Sequence, residues 1–144
     1  MTYETVTCAP EHVEHVCAHL WERGVEEIAG FGLTPAEWRE SVMERIKGEA
    51  YAILHDGVPV CVFGQVNGMT WFQATEAFTE HHREITKRLH DMGAERDLVV
   101  YSLCIHPRTE AWFLRCGYAR DDWQGETVTG KPVYRFRRQH VQSI

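Results

Sequence analysis

Residues 97–118 read DLVVYSLCIHPRTEAWFLRCGY, and this stretch decides the fold. Leu98 to Ile105 is an almost unbroken apolar run with β-branched members, which predicts a strand buried on both faces in the middle of a sheet. His106 and Pro107 end that strand, because proline has no N–H for a sheet ladder and disfavours helix at the residue before it.

A short helix is expected directly after this strand, from about Pro107 to Cys116. Proline suits the first turn of a helix, and Gly117 stands where a left-handed C-terminal cap belongs. Tyr118 then begins a new strand. The stretch therefore predicts a buried strand, a short helix, a glycine stop and a second strand that begins with an aromatic residue.

The composition is that of a globular protein, with 144 residues, 44% hydrophobic and 25% charged, so we expect one domain over residues 1–144. The net charge of −6 argues against a nucleic-acid partner, because phosphate contacts need clustered Lys and Arg.

No apolar run is long enough to span a bilayer and no leader opens the chain, which predicts no membrane association. The five cysteines form no C-x-x-C pair, so we expect reduced thiols in a cytoplasm-like compartment.

Patterns along the whole chain predict the element order β-α-α-β-β-β-α-β-α-β-β. This is an α/β (α+β) fold with a mixed central sheet of about seven strands and about four helices. The strands near Met69–Gln73 and Leu98–Ile105 are expected to be parallel neighbours that splay at their C-terminal ends. The strongest local signals are a capped helix start at Thr34-Pro35-Ala36-Glu37 and two hairpin turns, Asp56-Gly57 and Asn67-Gly68.

Other elements follow from weaker patterns. A helix opens at Pro10 and buries a face that extends to Trp21, and a later helix begins at Thr75 or Thr79 and runs to Met92. Gly93 is expected to cap that later helix. An arginine cluster near the end of the chain predicts a solvated edge strand, and its members are Arg135, Arg137 and Arg138.

The stretch around the short helix resembles the C-terminal part of the GNAT acyltransferase fold. Trp112-Phe113 corresponds to an aromatic pair of that family, Gly117-Tyr118 to its Gly-Phe, and His106 to an asparagine at the helix start. From Trp71 to Phe136 the sequence also resembles a family of small proteins from short-tailed phages. That family is described as internal virion or assembly proteins and is grouped with degenerate acetyltransferases.

The GNAT resemblance implies a site for acetyl-CoA, whose pyrophosphate would sit on backbone N–H groups where the helix after the fourth strand begins. The family's loop there reads Gln/Arg-x-x-Gly-x-Gly/Ala. The resemblance assigns the cofactor contacts to Gln73, Ala74, Thr75 and Thr79. However, Glu76 and Phe78 stand at the glycine and small-residue positions, where a carboxylate repels phosphate and a ring blocks close approach. These departures favour no bound cofactor, with Thr75 or Thr79 only capping a helix.

Catalytic candidates are also incomplete. Family members use a tyrosine in the late helix to protonate the leaving thiolate, but Phe113 stands at that position and has no proton to give. His106 at the end of a central strand is a candidate base, or else a turn histidine bonded to backbone, and Tyr118 lies near the tyrosine position. His15 and His19 have metal-ligand spacing, but no further ligand completes the pattern, so we expect no metal site.

The resemblance therefore implies a phage protein with an acetyltransferase-like fold, degenerate as an enzyme. It would act through protein–protein contacts with a phage or host protein, in virion assembly or as an accessory factor. Its expected location is the host cytoplasm or the virion. The alternative is an active N-acetyltransferase with a variant pyrophosphate loop, whose acidic surface would favour a small-molecule amine as substrate. A third reading is a small-molecule binding module that uses the same cleft.

Overall fold

One mixed sheet runs through the protein in the computed structural model, which describes residues 2–138. Its seven strands over those residues are β1 (Tyr3–Thr7), β2 (Glu49–His55), β3 (Val58–Val66), β4 (Met69–Ala74), β5 (Leu98–Ser102), β6 (Ala119–Glu126) and β7 (Pro132–Arg138). They lie in the order β1-β2-β3-β4-β5-β7-β6. All neighbours are antiparallel except β4 and β5, which are parallel. The predicted mixed sheet is confirmed.

Helices cover both faces of this sheet. Over residues 2–138 they are α1 (Pro10–Ala18), α2 (Glu22–Gly30), α3 (Pro35–Arg45), α4 (Phe78–Met92) and α5 (Thr109–Arg115). On one face, Val42 of α3 belongs to the same buried cluster as Trp71 of β4. On the other, Ile85 of α4 is fully buried and Phe113 of α5 packs with Phe136 of β7. None of these helices combines the length and the hydropathy needed to cross a bilayer.

The two central strands meet at one end only. β4 and β5 pair solely through Met69 and Val99, where the Val99 N–H donates to the Gly68 carbonyl at 2.8 Å. Beyond this point the strands separate toward Ala74 and Ser102. The prediction that these strands are parallel neighbours that splay at their C-terminal ends is confirmed, and the separation leaves a gap in the sheet.

The prediction for β5 itself is wrong in two respects. The strand ends at Ser102 rather than Ile105, because Cys104 adopts a left-handed backbone with φ of 51° that stops regular pairing. It is also not buried on both faces, since Leu98 and Val100 are buried while Val99 and Tyr101 are partly exposed. Helices α4 and α5 cover only the first of these faces.

The helix that was predicted to extend from Pro10 to Trp21 is shorter than expected. It ends at Ala18, and Trp21 is instead the N-cap of a separate helix, α2, which brings the total over residues 2–138 to five rather than about four. The sequence pattern did not predict this helix, because Gly24 lies within it and glycine is a poor helix former. It is required there, because a Cβ on Gly24 would lie 2.2 Å from Oε1 of Gln73.

Three predicted helix boundaries also differ. Helix α4 begins at Phe78 with Ala77 as its N-cap and has no side-chain cap, so neither Thr75 nor Thr79 caps it. Gly93 has φ of −91° and is not a left-handed cap. Helix α5 begins at Thr109, two residues after the proline that was expected to open it.

Other local predictions are confirmed. Thr34 and Glu37 form the reciprocal capping box of α3. The turns Asp56-Gly57 and Asn67-Gly68 have positive φ at both residues, as a type I′ hairpin requires. Gly117 has φ of 97°, which fits the expected left-handed stop after α5.

The arginine cluster does not lie on an edge strand. β7 is inserted between β5 and β6, so β6 is the edge, and Arg138 is 7% exposed. Its guanidinium donates to the carbonyl of Cys116 at the end of α5. A Cβ at Gly93 would lie 3.2 Å from the Arg138 side chain and one at Gly117 would lie 2.4 Å from it, so both glycines leave room for the buried arginine.

Candidate functional site

A short segment of the chain occupies the free edge of β4 in the gap between β4 and β5. Leu20 forms an isolated antiparallel bridge with Thr75. On either side of it, the Trp21 N–H donates to the Ala74 carbonyl at 3.2 Å and the Glu76 N–H donates to the His19 carbonyl at 3.1 Å. The backbone groups at the C-terminal end of this edge are therefore bonded within the chain.

Gln73, which was predicted to contact the cofactor, faces α2. Its side chain is buried at 6% exposure, and its Oε1 accepts from the indole N–H of Trp21 at 2.7 Å and from the Ala74 N–H at 3.3 Å. Because the position of Gly24 lets α2 approach this oxygen closely, the amide lies against the α2 start rather than the α4 start. The structure thus uses Gln73 to attach α2 to β4.

The N-terminus of α4 has few free donors. Only three residues, 75–77, separate β4 from α4. The Ala77 N–H donates to Oγ1 of Thr75 at 3.2 Å and the Phe78 N–H donates to the carbonyl of Thr75 at 3.1 Å. The Glu80 N–H donates to the Ala77 carbonyl at 3.1 Å, and that of Glu76 is bonded to His19. Four N–H groups at and just before the start of α4 thus donate within the chain.

The other predicted cofactor residues do not form one surface. Ala74 and Thr75 are buried at the end of β4, whereas Thr79 is exposed on the first turn of α4. Glu76 is also exposed, in the connection between the two elements. A phosphate placed at this helix start would meet the carboxylate of Glu76 with no glycine nearby to let the backbone approach it.

An aromatic cluster (Trp21, Phe72, Phe78 and Trp112) fills the space between the start of α4, α5 and the sheet. The ring centroid of Phe78 lies 4.7 Å from that of Trp21, 5.7 Å from that of Phe72 and 5.5 Å from that of Trp112. Phe78 is 5% exposed. Trp112 is partly buried against this core, and its indole N–H donates to Oγ1 of Thr86 on α4 at 2.9 Å.

A partly buried carboxylate holds the β5 side of the gap. Oε1 of Glu27 on α2 accepts from Oγ of Ser102 at 3.0 Å and from the Leu103 N–H at 2.9 Å, and the Ser102 hydroxyl in turn accepts from the Cys104 N–H at 3.0 Å. Burial raises the pKa of the Glu27 carboxyl, and the bonds from Leu103 and Ser102 partly oppose that rise. Sequence reasoning missed Glu27, because it is one of many glutamates and its helix was not predicted.

The two predicted catalytic residues lie in different surroundings. His106 is half-buried in the connection between β5 and α5, where its Nδ1 accepts from the Arg108 N–H at 3.2 Å. Tyr118 is buried, and its hydroxyl lies 3.1 Å from Oγ1 of Thr70 on β4. Burial raises the pKa of Tyr118. Over residues 2–138, no described hydrogen bond or ring contact joins His106 to Tyr118.

A small cavity lies between the sheet and α4 and α5, next to Tyr118. Its volume is about 60 Å³, and most of its lining is apolar. A cavity of about 150 Å³ is needed to hold benzene in a known case, so this space admits only a few atoms. Residues from six helices and strands line it, among them Phe72, Leu89, Val100, Trp112 and Phe113.

Metal-binding and redox features are modest. Nδ1 of His12 accepts from the Ala9 N–H at 2.9 Å, and the rings of His15 and His19 are 4.6 Å apart. Over residues 2–138, no group of three or more His, Cys, Asp or Glu side chains is arranged to hold a metal ion. The five cysteines are free thiols, and burial raises the pKa of Cys116 to about 12.

Comparisons with known proteins give the fold. No protein-family profile and no curated protein sequence matches the chain. Among solved structures, the ribosomal L7/L12 α-N-protein acetyltransferase RimL in complex with coenzyme A has a TM-score of 0.67 at 14% identity, covering 97% of this chain and 95% of RimL. The ribosomal-protein-S18-alanine N-acetyltransferase from Escherichia coli has a TM-score of 0.65 at 8% identity, covering 99% and 97%.

A third similar structure is AAC(6')-Ib in complex with ribostamycin and coenzyme A. Its TM-score is 0.62 at 13% identity, covering 96% of this chain and 94% of that protein. The similar structures thus include proteins that bind coenzyme A and act on proteins or bind an aminoglycoside. At these identities the likeness concerns the fold, and this chain therefore has the fold of the GNAT acetyltransferases.

Proposed function

We propose that this chain is a GNAT-fold protein that has lost acyl transfer and acts through protein–protein contacts in the assembly of a short-tailed phage. The observation that carries the loss of catalysis is the start of α4. There the N–H groups of Glu76, Ala77, Phe78 and Glu80 all donate within the chain. The phage role is supported by the sequence resemblance from Trp71 to Phe136, and it implies the host cytoplasm and the virion as locations.

The physical argument concerns what a pyrophosphate needs. A helix start binds phosphate through N–H groups that have no partner and through a backbone that the ligand can approach closely. Here the N–H groups of residues 76, 77, 78 and 80 are bonded within the chain, Glu76 adds a negative charge, and Phe78 fills the space beside the helix start with a buried ring. Binding acetyl-CoA would require breaking several hydrogen bonds and moving the aromatic cluster. The fold is thus retained while the features that would hold the cofactor are not.

The second candidate is an acyl-CoA-dependent N-acyltransferase, and Glu27 favours it. A carboxyl with a raised pKa beside the gap is suited to take a proton from an amine. His106 and Tyr118 are the other proposed catalytic groups, with Gln73, Ala74, Thr75 and Thr79 as cofactor contacts. A small-molecule amine or a protein amine would be the substrate, by analogy with the similar structures.

Calorimetric titration of the unmodified protein with acetyl-CoA separates these candidates. We expect no binding below the millimolar range. The double variant Glu76→Gly/Phe78→Ala tests whether the α4 start is the obstacle, and tighter binding in the variant alone would support descent from an enzyme. Micromolar binding by the unmodified protein would overturn the proposal and favour the acyltransferase.

A complementation experiment tests the assembly role. Phage that lack this gene are expected to form defective particles, and the unmodified chain supplied in the host is expected to restore them and to be detected in purified particles. The variants His106→Ala, Tyr118→Phe and Glu27→Gln are expected to restore assembly equally if they fold. Two results would contradict a non-catalytic assembly role. One is that phage without the gene form normal particles. The other is that the unmodified chain restores assembly whereas folded His106→Ala or Glu27→Gln protein does not.

A further inference from the structure

Over residues 2–138, the buried cluster on the α1 and α3 face of the sheet contains no residue of β5, β6 or β7. Helices α1 and α3 pack with β2, β3 and β4 on that face, whereas α4 and α5 lie on the opposite face. Four side chains of β5, β6 and β7 on that face are called the open half-sheet. Trp123 and Arg137 are exposed, and Tyr101 and Arg135 are partly exposed.

The side chains of the open half-sheet contact one another and have the composition of an interaction surface. The rings of Tyr101 and Trp123 meet edge to face with centroids 5.2 Å apart, and the Arg135 guanidinium lies 5.7 Å from the Trp123 ring. Oδ2 of Asp121 lies 2.7 Å from Nε of Arg135 and 3.5 Å from Nε of Arg137. Trp, Tyr and Arg concentrate at the centres of protein interfaces, and fixing them beforehand lowers the entropy lost on binding. Trp123 is nevertheless 40% exposed in the single chain.

A chemically complementary surface lies beside it on α2. Glu22, Val25, Glu26 and Ala29 recur at helical spacing and are all exposed, and we call them the outer stripe of α2. The stripe is acidic and apolar, and its Val25 is 42% exposed. The end of α2 also touches the β6–β7 hairpin, where Oγ1 of Thr129 donates to the Gly30 carbonyl at 2.8 Å. The C-terminal end of α2 is therefore in contact with the hairpin that joins two strands of the open half-sheet.

The C-terminal part of the chain is basic and the remainder is acidic, which matches the charges of the open half-sheet and of the outer stripe. Residues 98–138 carry seven basic and four acidic side chains, a net charge of +3. Residues 2–97 carry eight basic and seventeen acidic side chains, a net charge of −9, so the two parts account for the −6 of the whole chain. The open half-sheet thus belongs to the basic part of an acidic protein, and a second copy of the same chain offers an acidic helix to it.

We propose that two copies form a two-fold dimer in which the outer stripe of α2 from each copy lies across the open half-sheet of the other. The dimensions agree, because three strands about 4.8 Å apart span about 10 Å and a helix with its side chains is about 10–12 Å wide. A two-fold arrangement closes, because each copy contributes one outer stripe and one open half-sheet to the contact. Glu22 and Glu26 then face Arg135 and Arg137, while Val25 covers Trp123. This dimer does not depend on whether acetyl-CoA binds.

Sedimentation velocity over a range of protein concentrations is the first test. The contact is small, so a dimer that forms in the micromolar range is expected. Trp123→Ala should weaken it at least about 30-fold, as the loss of a central tryptophan does at other interfaces. Leu114→Ser is the matched control, since Leu114 is 57% exposed on the opposite face. A protein that stays monomeric up to millimolar concentration, or a dimer that Leu114→Ser weakens and Trp123→Ala does not, would overturn the proposal.

Charge reversal tests the pairing and does not depend on the tryptophan variant. Arg137→Glu alone and Glu26→Lys alone are each expected to weaken the dimer, and the two together in one chain are expected to restore it. Circular dichroism confirms that each variant is folded, and Arg83→Glu on α4 controls for a change of net charge. If the double variant is as weak as the worse single variant, these two residues do not face each other and the proposed arrangement is wrong.

Discussion

The two strands that border the gap in the sheet are held by different chemistry. On the β4 side, Trp21 bonds to Gln73 and packs on Phe78, so neutral hydrogen bonds and aromatic rings form the attachment. On the β5 side, the carboxylate of Glu27 accepts from Ser102 and the backbone beside it. Both attachments come from α2 or from its N-cap, Trp21. The same helix thus connects the two borders of the gap, through uncharged groups on the β4 side and through the titratable carboxyl of Glu27 on the β5 side.

The largest effect is expected where the attachment is apolar. Phe78→Ala should lower the free energy of unfolding by about 3–5 kcal/mol, because it removes a buried ring in contact with three other aromatic side chains. Chemical denaturation measures this loss, and Leu114→Ala on exposed α5 is the control. A loss below about 1 kcal/mol would mean that the ring is not packed in the core.

A smaller effect is expected from the hydrogen bond between Trp21 and Gln73. Trp21→Phe keeps most of the ring but leaves the buried Oε1 of Gln73 without the indole donor, a loss of about 1–3 kcal/mol. Gln73→Leu completes a double-mutant cycle measured by chemical denaturation. The double variant should lose less than the sum of the single losses, because the two residues are in contact. Additive losses would show that the bond contributes nothing.

The smallest effect is expected at Glu27 and it depends on pH. The folded protein raises the pKa of this carboxyl above its unfolded value, so the folded state binds the proton more readily. The destabilising contribution of the buried charge is complete above the folded pKa and is relieved as the pH falls toward the unfolded value. The stability of the wild type relative to Glu27→Gln should therefore rise as the pH falls from 7 toward 4.5.

Thermal unfolding at a series of pH values measures this difference. Glu40→Gln is the matched control, because Glu40 is exposed on α3 and lies outside the outer stripe of α2. A wild-type protein that loses stability relative to Glu27→Gln as the pH falls would show that the hydrogen bonds to the carboxylate outweigh its burial.

Sequence reasoning succeeded where a signal is local. The capping box of Thr34 and Glu37 and the turn at Asn67-Gly68 involve only neighbouring residues, so their patterns specify the structure directly. The mixed sheet and the splay of β4 and β5 were also predicted, from the order of elements and the resemblance it carries.

It failed where distant residues decide the local structure. Thr75 was expected to cap α4, but the backbone there bonds to the segment before α2 and Phe78 is drawn into an aromatic cluster. Helix α2 was missed because Gly24 weakens its local signal, although the glycine is needed for contact with β4. Glu27 could not be found for the same reason. The candidate site is thus built from long-range contacts that no short pattern contains.

The position of β7 has a consequence for how the chain folds while it is being synthesised. β7 is made after β6 but pairs inside the sheet, so that Leu98 at the start of β5 bonds to the strand that ends at Arg138. Until Pro132 and the residues after it have been synthesised, the outer edge of β5 has no partner strand. A chain stopped before Pro132 would keep that edge open, and an open edge is a template for pairing with other chains. Premature termination should therefore give aggregates rather than a shorter folded protein.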